Sequence, residues 1–180
     1  PPPPPPYPPR RSSDLAEMIR SGTTCFNDMY FFPDTTAAVA SAAGIRAVVG
    51  LIMIDFPSAW AGDWQEYFDK GLSVHDQFRA DELITPAFAP HAPYSVSNEP
   101  LQKILTYSDE LNIPIHMHVH ETSDEIDQGM ERYGSRPLHR LQELGLLTPG
   151  MIAVHMTHLQ DHEIEQFSHT GAHVVHCPQS

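Results

Sequence analysis

Short β-rich runs alternate along this chain with amphipathic helical stretches, the two separated by Gly, Pro or Asn. No other feature narrows the possible folds as much, because a helix between two strands returns the chain to the end from which the next strand starts. The strands then run parallel, as βα units. Strand candidates fall at residues 23–29, 46–52, 84–89, 113–120, 151–156 and 173–177, and helix candidates at 14–20, 35–43, 64–79, 99–111, 123–133, 137–144 and 161–170. Gly22, Gly44, Gly145 and Gly171 stand where helices stop, as a C-terminal cap requires. Ser97, ahead of Glu99 and Pro100, suits a helix start.

Six βα strands suit either a doubly wound sheet or most of a (β/α)8 barrel, and the polar residues decide between them. Asn27-Asp28, Pro90-His91, His118 to Glu121, His155 and His176 fall at or just beyond the C-terminal ends of their strands. Barrel enzymes gather their chemistry there from many strands. A doubly wound nucleotide binder would instead carry a Gly-rich turn after its first strand, and neither GxGxxG nor GxxxxGK[ST] is present. The expectation is therefore an α/β fold, an incomplete (β/α)8 TIM barrel, over residues 14–180. The Pro-rich residues 1–13, PPPPPPYPPRRSS, read as a polyproline II leader outside that fold, since proline lacks the amide donor. Docking of an SH3-like partner to this leader is the lesser reading.

With 180 residues, 41% hydrophobic, the chain has material for one core. Its formal net charge of -13, with no basic cluster beyond Arg10-Arg11, argues against nucleic acid or an anionic membrane as partner. A small-molecule substrate, uncharged or cationic, fits better, and a homo-oligomer is left open. Cys25 and Cys177 are too few and too far apart for a disulfide framework. With no signal peptide and no membrane-length apolar run, a cytoplasmic location is the expectation.

Twelve His against ten Lys plus Arg point to metal ligation or proton transfer. His75, His139, His162 and His169 sit in polar or connecting segments and read as ordinary surface or core residues. The segment Ile-His-Met-His-Val-His-Glu-Thr, from Ile115 to Thr122, differs: His116, His118 and His120 alternate with apolar residues and so share one strand face. Within it, His118 and Glu121 form His-x-x-Glu. Such spacing can set an imidazole on a metal while a carboxylate at the strand end reaches the activated water, whose pKa a metal lowers toward about 7; alone, the pattern is weak.

Five stretches carry a family resemblance, in order along the chain: Gly-Thr-Thr-Cys-Phe-Asn-Asp-Met-Tyr-Phe-Phe from Gly22, Ala-Pro-His-Ala-Pro-Tyr from Ala89, His-Val-His-Glu-Thr from His118, Val-His-Met-Thr-His-Leu from Val154, and His-Val-Val-His-Cys-Pro-Gln-Ser from His173. The sequence resembles the amidohydrolase superfamily, and within it the branch of 5-methylthioadenosine/S-adenosylhomocysteine deaminases and related TRZ/ATZ-type hydrolases. That resemblance implies zinc, one ion per chain in the complete protein, with His118 as its ligand. It implies Glu121 as proton shuttle that also touches the substrate base, His155 as the residue bonding the hydrolytic water or the developing tetrahedral centre, and His91 as a substrate contact. His176 takes a supporting part, while His116, His120 and His158 read as packing or bracing.

The resemblance places these strands at about 2 to 7 of the barrel, and it also calls for a His-x-His pair on the first strand and an Asp on the eighth, both on the same zinc; neither of those two strands' motifs is found here. A catalytic zinc usually has at least three protein ligands, so the chain by itself is expected to be inactive. The expected reaction is hydrolytic deamination of an aminopurine nucleoside. Guanine, a chlorotriazine or another N-heterocycle is the alternative substrate, and a metal-free remnant is the alternative of a different class.

Overall fold

A computed structural model describes residues 9–178 of the chain. Its six strands, β1 (Cys25–Asp28), β2 (Arg46–Met53), β3 (Ile84–Pro90), β4 (Ile115–Val119), β5 (Met151–His155) and β6 (His173–Val175), form one sheet in sequence order. Every pairing is parallel. The sheet curls into about half of a (β/α) barrel, as the βα rhythm predicts. Helix α1 (Pro9–Arg20) precedes β1, and α2 (Pro33–Ala43), α3 (Trp64–Phe78), α4 (Asn98–Leu111), α5 (Ser123–Tyr133), α6 (Pro137–Glu143) and α7 (Asp161–Ser168) connect the strands.

The central strands are apolar on both faces because a barrel strand meets helices outside and other side chains inside. Seven of the eight residues of β2 follow that rule, with only Arg46 exposed. Outside β2 and β3 lies α3, opened by Asp63, whose carboxylate accepts the Glu66 N–H at 2.8 Å. Its buried face carries Tyr67, Phe68, Gly71, Val74, His75 and Phe78. Phe68 stacks on Phe88 of β3, ring centroids 5.9 Å apart. Full burial of such a ring is worth about 2–3 kcal/mol. Gly71 lets the helix approach: a Cβ there would meet Leu51 Cβ at 3.3 Å.

Many boundaries differ from expectation by one or two residues, and three differences have a visible cause or consequence. Helix α1 takes in Pro9 to Ser13, the last five residues of the expected leader, with proline at the first helical position where its absent N–H is not needed. Residues 1–8, the rest of the leader, lie outside the described residues. Strand β6 ends at Val175, and β4 ends at Val119, because His120 has φ 55° and turns the chain out of the extended region. Both cysteines are free, and among the described residues no helix is long and apolar enough to cross a membrane.

Candidate active site

Because all strands are parallel, residues at their C-terminal ends share one end of the sheet. His91 follows β3, His118 is next to last in β4, Glu121 lies two residues past β4, His155 closes β5, and His176 follows β6. The rings of His91 and His118 are 5.3 Å apart and those of His118 and His155 5.4 Å, centroid to centroid. His155 Nε2 stands 3.4 Å from Glu121 Oε1. Three imidazoles and a carboxylate thus come together. His176 is exposed, and among the described residues no hydrogen bond or ring contact ties it to them.

Hydrogen bonds fix two of the imidazoles. The His91 carbonyl accepts both the His118 backbone N–H, at 3.1 Å, and His118 Nδ1–H, at 3.0 Å. With its proton on Nδ1, His118 keeps a lone pair on Nε2. The Ser95 hydroxyl donates to the Ala92 carbonyl at 3.1 Å, so its oxygen receives His91 Nδ1–H at 2.9 Å, and His91 Nε2 also keeps its lone pair. Burial, more than the neighbouring His118 charge, lowers the His91 pKa; burial and then His155 lower that of His118, against the opposing pull of the His91 carbonyl and Glu121. Both rings are held neutral, the form that binds a metal.

The shared face predicted for three histidines holds for two. His116 lies behind His118, ring centroids 6.0 Å apart, buried, with its pKa pushed down to about 4 by burial and then by His118. Its Nδ1 has no hydrogen-bond partner among the described residues. His120, turned away by its positive φ, lies wholly buried against α6 and α7. There its Nε2 accepts the Leu138 N–H at 3.1 Å and its Nδ1 is 4.0 Å from Glu163. Glu163 in turn is paired with Arg136 at 2.7 Å. His120 is therefore a brace. His158 contributes its backbone, its carbonyl accepting from Arg136 Nη2 at 2.6 Å.

The sequence reading passed over two residues that build this end of the sheet. Glu125, buried in the first turn of α5, accepts the His120 N–H at 2.8 Å and the Glu121 N–H at 2.9 Å. Burial raises its pKa, against the lowering by these two bonds. The spacing Thr122-x-x-Glu125 was the available signal, since it marks a capping box. Ser95, which orients His91, left no such trace. The backbone is strained here as well: His120, His155 and Met156 have φ of 55°, 77° and 53°, a region costly for side chains with a Cβ.

Beside His91 and His118 opens a cavity of about 240 Å³ whose other walls are Met29, Tyr30, Phe31, Ile52, Ile54 and Phe56. Among the described residues no carboxylate, lysine or arginine lines it. As a metal site the cluster is partial. His118, neutral and with Nε2 free, fits one ligand position, yet among the described residues no three His, Cys, Asp or Glu converge closely enough to hold an ion.

Comparison with known proteins places the chain in a family and a fold. The family model described as the amidohydrolase family matches residues 12–180. The chain is 46% identical over 166 residues to a 5-methylthioadenosine/S-adenosylhomocysteine deaminase of Saccharophagus degradans, covering 92% of this chain and 37% of that protein. It is 47% identical to the protein of the same name from Teredinibacter turnerae, covering 92% of this chain and 38% of that one. The chain thus spans less than two fifths of the length of these relatives. A crystal structure of an adenosine deaminase from Xanthomonas campestris with bound zinc superposes with a TM-score of 0.91 at 48% identity, over 93% of this chain and 38% of that one. An atrazine chlorohydrolase of Arthrobacter aurescens complexed with zinc shares the fold at a TM-score of 0.85 and 18% identity, over 93% of this chain and 41% of the other.

Proposed function

The chain belongs to the amidohydrolase family, and from that premise we propose that it carries the proton-transfer side of a zinc-dependent site for hydrolytic deamination of an aminopurine nucleoside. The observation that supports this most is the Glu121 carboxylate, 3.4 Å from His155 Nε2 and joined to the His118 ring through His155.

In this reading His118 holds one position of a single zinc through Nε2, the nitrogen its bond to the His91 carbonyl leaves free. Zinc, when bound, supplies the Lewis acidity that lets water lose a proton near neutral pH. Glu121 carries a proton to the departing amine; its side chain is 42% exposed and so reachable from solvent. His155, almost fully buried, orients Glu121 and donates to the oxygen on which charge develops. His91 contacts the substrate, and His176 has a supporting place at the same end of the sheet.

The cavity walls bear on the substrate. A wall of Met, Ile and aromatic side chains next to two neutral imidazoles suits an aromatic base and a thioether substituent, and offers no counter-ion to a charged one. Among aminopurine nucleosides we favour 5-methylthioadenosine over S-adenosylhomocysteine, which adds a zwitterionic amino acid to the same sulfur. The relatives named as deaminases of these two compounds support the class.

The test is metal content and turnover of the full-length protein. His118→Ala lowers zinc per chain. Glu121→Gln leaves zinc bound and cuts kcat by about 10²–10⁴-fold, because an amide cannot carry the proton; His155→Ala behaves likewise. Normal turnover by Glu121→Gln, or full zinc in His118→Ala, refutes the assignment.

A further inference from the structure

Glu125 departs from the ordinary work of a helix-capping glutamate. Thr122 opens α5, its hydroxyl oxygen accepting the Glu125 N–H at 3.3 Å. In such a box the glutamate three residues on reaches back to the N–H of the capping residue itself. Glu163 does so in α7, its Oε2 accepting the Gln160 N–H at 2.8 Å. The Glu125 carboxylate overshoots the cap, and its two oxygens hold the amides of the two residues before it, His120 and Glu121.

On the other side of the same turn, Thr157 Oγ1 lies 2.8 Å from the carbonyl oxygens of both His120 and Glu121. The Thr157 N–H donates to the His120 carbonyl at 3.1 Å. The peptide that carries Glu121 is thereby held by its N–H edge from α5 and by its carbonyl edge from the segment after β5. Capping alone does not account for this, since a carboxylate that is 2% exposed gives up its hydration and takes two amides in return. Both amides belong to the segment that aims Glu121.

We propose that Glu125 is the positioning residue for Glu121, keeping Glu121 Oε1 within 3.4 Å of His155 Nε2 and beside His118. The role rests on Glu121 acting as the proton shuttle. Glu125 touches no substrate; it acts by denying the turn the freedom to move by the ångström or so that lowers turnover about a hundredfold.

The experiment is a double-mutant cycle in the full-length protein, with kcat expressed per folded, zinc-loaded chain. Gln at position 125 keeps the side-chain volume but offers one acceptor oxygen and one NH₂, which faces a backbone N–H donor to donor. Glu125→Gln is expected to lose about tenfold or more in kcat with zinc content unchanged. In a Glu121→Gln background the same change is expected to lose less than about twofold, because its target is already inert. If Glu125→Gln yields too little folded protein, Glu125→Asp, which keeps both oxygens but stops one methylene short, goes through the same cycle with the same pattern expected. Wild-type kcat in Glu125→Gln beside a crippled Glu121→Gln overturns the positioning role alone. Equal losses in both backgrounds also overturn it, showing an effect on the fold at large. A silent Glu121→Gln removes the proton-shuttle assignment, and the positioning role with it.

Discussion

Replacing Arg140 with Met should destabilise the protein and loosen the substrate side of the site together. Arg140 projects from α6 and is 4% exposed. Its Nε and Nη2 donate to Asn98 Oδ1 at 2.8 and 2.6 Å, Nη2 also to the Val96 carbonyl at 2.9 Å, and Nη1 to the Pro93 carbonyl. The guanidinium lies 3.8 Å from the centroid of the Tyr133 ring. Burial lowers its pKa below the usual arginine value, since the charge is met by carbonyl dipoles and a ring face in place of water. Met fills much of the space but leaves the Pro93 and Val96 carbonyls without donors, at about 1–3 kcal/mol each. It also gives up a buried cation–π contact of about 2 kcal/mol. Relief of the guanidinium's desolvation, worth several kcal/mol, offsets part of this, and a net loss of about 2–4 kcal/mol follows. That is a large share of the ~5–15 kcal/mol typical of a domain. Residues 93–98, which Arg140 pins, include the Ser95 that orients His91, so KM should rise more than kcat falls. Urea unfolding with a shared m-value, and steady-state kinetics, measure the two effects. A stability change below about 1 kcal/mol, or an unchanged KM, would show that the loop is held without Arg140.

Gly50→Ala places a methyl 2.7 Å from the Asp28 carbonyl oxygen and 2.8 Å from Ala89 Cβ, on the two neighbouring strands. A loss of about 1–3 kcal/mol is expected in thermal or urea unfolding; a neutral result would mean that β1 and β3 can move apart freely. Phe56→Arg, at a side chain 53% exposed on the cavity rim, should alter stability by less than about 0.5 kcal/mol. It should raise the kcat/KM ratio of S-adenosylhomocysteine to 5-methylthioadenosine about tenfold by supplying a cation. An unchanged ratio would place the thioether substituent elsewhere.

Which parts of the structure were legible in the sequence depends on how local their cause is. The strands β2 and β3 were readable to within one residue because their apolar runs are long and their neighbours break them with Gly or Pro. The gathering of His91, His118, Glu121 and His155 at one end of the sheet was readable because parallel strands bring their C-terminal ends together whatever the pairing details. The outward turn of His120 was not, since period-two alternation presumes extended backbone and nothing in the sequence announces φ 55° at a histidine. Arg140 likewise reads as one more charge on a short helix. Its partners Pro93, Val96 and Asn98 lie more than forty positions upstream and appear only once α6 is laid against the segment after β3. His176, given a supporting part by its motif, follows the short strand β6 at the same end of the sheet and is exposed.

The left-handed backbone at His155 and Met156, φ 77° and 53°, sets heat tolerance and chemistry against each other. Glycine would relieve about 1 kcal/mol of strain at either position. At Met156 the exchange also removes a buried apolar side chain, at about 2–5 kcal/mol, and is a net loss; at His155, whose buried Nδ1 has no hydrogen-bond partner among the described residues, a sequence optimiser scored on folding free energy has reason to write it, and the change removes the imidazole facing Glu121. A directed-evolution library screened by heat challenge alone would therefore enrich variants that have shed the imidazole, whereas one screened by product formation would keep the strained histidine and gather its stabilising changes elsewhere.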